Sequence, residues 1–172
     1  MQLLTQRAAT ERLRSLGIGP RQARQVLDAG LAGEPLRTSA ALLFDSERVE
    51  DLMRRPVLSW AEVDEVCPSG LLVARRSAHQ LQDAWTLPLY ARLEISRVAQ
   101  ADGQLPMVAT TGGFVTDGAG IVDTHGEGTA RGRRDTCRLD LVEPTSWFRS
   151  FHERRLPTGP GRPWRFHGAA FA

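Results

Sequence analysis

The chain has 172 residues, 41% hydrophobic and 24% charged, with a formal net charge of +2. Such a composition supports a packed core and excludes global disorder, and the length fits one domain or two small ones. No apolar run reaches the about 20 residues that span a bilayer. The opening MQLLTQRAATERLR lacks the basic-then-apolar order of a secretion signal, so a cytoplasmic protein with no membrane partner is expected.

In chain order, Thr5 suits a helix cap, and Leu4 before it can pack on Ala9. Ala8, Ala9, Leu13 and Leu16 then recur at helical spacing, and Gly17 ends that helix. Pro20 suits the first position of a second helix over 20–30, with Ala23, Val26, Leu27 and Leu31 on one face and Gly30 at its end. Apolar runs at Leu36 and at Leu42 to Phe44, separated by RTSA, predict a small β-hairpin. DSERVEDLMRR predicts a third helix, capped by Asp45 or Ser46, with Val49 and Leu52 inward and a stop before Pro56.

From Pro56 the texture changes. LSWAEVDEVCP predicts a short helix capped by Ser59, with Trp60, Val63 and Val66 on one side. GLLVARR and LYARLEISRV predict strands, the second by its alternation. Apolar pieces punctuated by glycine follow, with Asp117–Gly118 as a turn pair. TCRLDLVEP alternates like a strand. TSWFRSFHERR reads as a short helix offering Trp147, Phe148 and Phe151 to a core, and the Pro/Gly-rich, extended LPTGPGRPWRFHG as a loop leading into an edge strand. The fold class expected is α+β, with a domain over 1–56 and a second α+β domain over 57–172 built on a mainly antiparallel sheet.

Every one of the 22 basic side chains is Arg, which can grip phosphate and guanine with two donors at once. Residues 1–24 hold Arg7, Arg12, Arg14, Arg21 and Arg24 against Glu11 alone, whereas residues 25–52 are acidic. One face toward an anion and another turned away is the implied arrangement. LTQRAA, PRQARQVLDAGL, the hairpin ending LLFD, and SERVEDL together resemble the winged helix-turn-helix of the MerR and excisionase families, over about residues 3–55. The stretch from Ala9 to Gly17 is longer than that pattern by about one helical turn, which preserves the buried face. The resemblance implies a protein that binds double-stranded DNA, as a transcriptional regulator or excisionase-like factor. It implies that the 20–30 helix enters the major groove with Arg21, Gln22, Arg24 and Gln25, since Arg matches guanine and Gln matches adenine. Arg7 and Arg12 on the first helix and Arg37 in the wing would then contact backbone.

Other readings stay open. The first 56 residues could keep the helix-turn-helix as a scaffold for a protein partner, and the C-terminal domain could dimerise, bind a partner or sense a ligand. An enzyme in the C-terminal half is a third possibility. Asp123, His125 and Glu127 alternate and could share a strand face as metal ligands, but a solvated polar face explains them as well, and no metal or cofactor is expected. TTGGFVTDGAG lacks the Gly-Lys-Ser/Thr of a phosphate loop. Cys67 and Cys137 show no nucleophile signature and read as buried thiols. After Pro144, Arg149, Arg154, Arg155, Arg162 and Arg165 interleave with aromatics, which read as core residues beneath solvated Arg or as a second surface for DNA or a partner.

Overall fold

The computed structural model describes residues 2–126, 136–159 and 163–168. The chain is mixed α+β. β1 (Leu3–Thr5), not expected from the sequence, is followed by α1 (Gln6–Arg14), α2 (Pro20–Asp28), β2 (Leu36–Arg37), β3 (Leu42–Asp45) and α3 (Ser46–Arg54). β1 and β2 flank β3 in a three-stranded antiparallel sheet. Local chemistry sets each boundary. Thr5 accepts from the Ala8 amide at the start of α1, and Asp45 accepts from the Glu47 amide at the start of α3. α2 begins at Pro20 and ends in a Schellman turn: Gly30 adopts φ 72°, its N–H reaches Leu27 O at 3.0 Å, and Leu31 N–H reaches Val26 O. Ala9, Leu13, Ala23, Val26, Leu27, Phe44, Val49 and Leu52 form one buried cluster among these elements.

The rest builds on a six-stranded sheet. α4 (Trp60–Val66) precedes β4 (Leu71–Ala74), and β5 (Trp85–Thr86) precedes α5 (Leu89–Asp102). β6 (Leu105–Thr111), β7 (Phe114–Gly126), β8 (Thr136–Val142) and β9 (Trp164–His167) complete it. The order is β5-β8-β7-β6-β4-β9, with β4–β6 parallel and the other pairs antiparallel. β9 lies at an edge, as expected. Both faces are covered, so β4 is buried throughout. Leu72 and Ala74 face the cluster under α5, while Leu71 and Val73 face the cluster holding Val63 of α4 and Phe151. Trp147 and Phe148 pack on the second cluster, Trp164 and Phe166 on the first, so the aromatics of the C-terminal stretch serve the core.

Two expectations are corrected. LYARLEISRV is helical within α5, not a strand. Its apolar residues fit both periods, and burial of Ala91, Ile95, Val98 and Ala99 at helical spacing against the sheet decides between them. Asp117–Gly118 is no turn: both residues lie within β7, and Gly118 leaves room for the Phe148 ring. The turn of the β6–β7 hairpin is Gly112–Gly113, both at positive φ (60° and 87°), the conformation that a two-residue hairpin loop favours.

The two parts share buried contacts. Phe114, at the start of β7, is fully buried in the N-terminal cluster. The Arg154–Leu156 segment stitches the junction: Arg155 N–H bonds Pro56 O, Leu58 N–H bonds Arg155 O, and Leu156 N–H bonds Gly113 O. The Arg155 guanidinium lies 5.0 Å over the Phe114 ring.

Candidate nucleic-acid interface

α2 divides into three strips. Ala23, Val26 and Leu27 are buried. Arg21 and Arg24 are exposed and turned away from a cleft between α2 and the C-terminal part. Half-buried Gln22 shares the third strip, which lines that cleft, with exposed Gln25 and Asp28. The four side chains assigned to groove reading are therefore split. Arg21 and Arg24 point outward and make no ion pair or hydrogen bond with the described residues. Gln22 is half-buried, and its Oε1 accepts from the Gly19 amide at 3.2 Å, meeting one of the donors that a helix start leaves open.

The other basic residues also differ in circumstance. Arg7 on α1 and Arg37 on β2 are exposed and lack a partner among the described residues. Arg12 is engaged: its guanidinium sits 2.7 Å from Glu50 and 3.2 Å from the Ser46 hydroxyl, tying α1 to α3. Its charge is largely met within the fold. Thr38 closes the β2–β3 connection, its hydroxyl accepting from the Ala40 and Ala41 amides.

The cleft beside α2 encloses about 490 Å³. Its far wall carries Arg75 and Arg76, just beyond β4, with Ser77, Thr111 and Thr158. Arg75 donates to the Gly159 carbonyl. Burial, and secondarily repulsion from Arg165, lowers its pKa from the ordinary arginine value. Arg76 lies 4.2 Å over Trp85 and donates to the Gln80 and Ala84 carbonyls. The sequence reading missed these two arginines. They lie some fifty residues beyond α2, and only the sheet brings them alongside it.

The polar strip of β7 resolves differently. Asp123 and His125 are exposed, and Glu127 falls outside the described residues. His125 Nε2 lies 2.6 Å from Asp140 on β8, and this carboxylate raises the imidazole pKa above its ordinary value. Among the described residues no group of three or more His, Cys, Asp and Glu is arranged to hold a metal. Cys67 and Cys137 are buried free thiols, and burial pushes Cys67 up to about 12. No helix among the described residues is long and apolar enough to cross a membrane. Arg162 lies outside the described residues. Comparison with protein-family models, curated proteins and solved structures gives no match to this chain.

Proposed function

We propose that the chain binds double-stranded DNA, as a transcriptional regulator or excisionase-like factor, and that residues 1–56 act as a winged helix-turn-helix with α2 in the major groove. The observation that carries this reading is the outward pair Arg21 and Arg24, exposed, without partners among the described residues, and backed by a buried apolar face. A groove-entering helix needs long donors near its N-terminal half and an apolar back. Arg7 and the wing residue Arg37 supply backbone contacts in this reading. Gln25 remains available to a base edge, whereas Gln22 serves first as the cap of its own helix. A second copy, docked through the C-terminal part, would present two such helices to two half-sites.

The test is fluorescence anisotropy with a random-sequence duplex, titrated at several salt concentrations. Steep loss of affinity with salt is expected, because each neutralised phosphate contributes about 0.9 to the slope of log K against log salt. Arg21→Glu with Arg24→Glu should lower affinity and flatten that slope; an unchanged slope and affinity sinks the proposal.

One observation favours a second reading. The β6–β7 turn abuts α2, and Gln22, half-buried, lines the cleft toward the C-terminal part. A helix used as an internal packing element, in a scaffold for a protein partner, would do the same. Absence of duplex binding by the wild type at about 50 mM salt, below the range where phosphate contacts normally weaken, decides for it.

A further inference from the structure

We infer that the cleft between α2 and the segment after β4 holds the phosphodiester backbone of the DNA strand flanking α2, with Arg75 as its main cation. The inference rests on the DNA-binding reading above. A helix with side chains is about 10–12 Å across, and the major groove is about 12 Å wide. A helix lying in that groove therefore has a sugar-phosphate strand along each flank. On one flank α2 presents Gln22 and Gln25, and opposite them stand Arg75, Arg76, Thr111 and Thr158 across the cleft.

The chemistry of this wall fits a phosphodiester. Amide and hydroxyl donors face each other across it, and neither Arg75 nor Arg76 pairs with a carboxylate among the described residues. Arg75 is held in place: its backbone N–H bonds Pro163 O at 2.8 Å, and its side chain donates to the Gly159 carbonyl. A guanidinium has five N–H donors, so this anchoring leaves others for a phosphate. Nearby Arg165 repels the Arg75 charge, and an anion between α2 and Arg75 relieves that repulsion. The opposing charge is Asp28, also on the cleft. It sits in the last turn of α2, where it accepts from Gln6 Nε2 at 3.3 Å, away from the N-terminal half that goes deepest. The strand accordingly passes beside Gln22 and the Gly112–Gly113 turn.

The experiment compares the full-length wild type with Arg75→Gln, Arg75→Lys and Thr111→Glu in the same anisotropy titration. Arg76 is left intact because it braces the 76–85 segment through Trp85, Gln80 and Ala84. Arg75→Gln should weaken duplex binding about 10-fold and reduce the salt slope by about 0.9. Arg75→Lys should restore the slope. Thr111→Glu, which sets a carboxylate on the cleft wall with the Arg75 side chain retained, should also weaken binding. Wild-type slope and affinity in both Arg75→Gln and Thr111→Glu, beside loss of binding in the Arg21/Arg24 double variant, would overturn the cleft assignment and leave the DNA reading intact. Failure of the wild type to bind any duplex would overturn both. Titration with inorganic phosphate at constant ionic strength separates the remaining source of the same chemistry. Phosphate binding that Arg75→Gln abolishes, with DNA affinity unchanged, would give the cleft to a free anion and overturn the proposal.

Discussion

Gly112 lies directly against Val26: a methyl group at Gly112 would stand 2.6 Å from Val26 Cγ2. Gly112 belongs to the β6–β7 turn and Val26 to the buried face of α2, so the sheet of the C-terminal part braces the helix proposed to enter DNA. Gly112→Ala meets two obstacles. A φ of 60° disfavours any Cβ, and Val26 is β-branched and fully buried, so it cannot swing aside. We expect a destabilisation of about 1–3 kcal/mol. Phe114 and the Arg154–Leu156 segment also join the two parts, so urea unfolding should stay a single transition with a lower midpoint. Two separate transitions, or an unmoved midpoint, would contradict this coupling.

Arg12 and Arg7 both lie on α1 and read alike in the sequence, yet their surroundings differ. Arg12 is paired with Glu50, at 37% and 43% side-chain exposure, and a pair so open to solvent contributes less than about 1 kcal/mol. Arg12→Ala should therefore lower stability slightly and leave the DNA salt slope near its wild-type value. Arg7→Ala should leave the denaturation midpoint unchanged and reduce the slope by about 0.9, as loss of one phosphate contact requires. The reverse pattern would show that α1 approaches the backbone through Arg12, with the Glu50 pair breaking on binding.

How legible this molecule was depended on the range of the interaction that decided each element. Thr5, Pro20, Gly30, Asp45 and Ser59 act within a few residues of themselves, and the helix boundaries they mark in the sequence are close to those observed. β1 was invisible because three residues acquire strand character only by pairing with Leu43, Phe44 and Asp45. α5 was misread because Leu89, Ala91, Leu93 and Ile95 alternate as a strand would, while the helical stripe completes only at Val98 and Ala99. Gly118 looked like half of a turn pair; its lack of a side chain instead accommodates Phe148, thirty residues away. The outward arginines of α2 could be read from helical periodicity. The cleft could not, because Arg75 and Gln22 come to line one cleft only through the parallel β4–β6 pairing and the turn at the end of β6.

His125 offers a pH-dependent signal remote from the proposed interface. The Asp140 hydrogen bond, then its charge, raises the His125 pKa, with a smaller contribution from Asp123. The sign follows from the direction of the shift. Where the folded-state pKa exceeds the unfolded one, the ion pair's stabilisation is fully present below the ordinary histidine value near 6.5, and it fades as pH rises through the raised folded value. In an NMR titration of the imidazole C–H resonances, Asp140→Asn should bring the His125 midpoint down toward the ordinary range. An identical midpoint in wild type and variant would show that the 2.6 Å contact does not persist in solution.

The two cysteines report on the core on either side of the sheet. Cys67 packs with Leu71, Val73 and Phe151, and Cys137 with Trp85 and Leu139. Only the thiolate attacks a disulfide reagent. Burial raises both thiol pKa values, Cys67 to about 12, while Arg92 partly counters the shift at Cys137. At pH 8 the native protein should therefore react very slowly with an aromatic disulfide reagent, and both thiols should react at once in denaturant. Because each sulfur is also shielded from the reagent, the native rate should follow opening of the fold, scaling with the opening equilibrium wherever reclosing outpaces the reagent. Gly112→Ala should then speed the reaction of both thiols together, if the turn against α2 belongs to the same cooperative unit as the sheet. Rapid reaction of one thiol in the native state would show that its face of the sheet opens locally, independently of the contact between Gly112 and Val26.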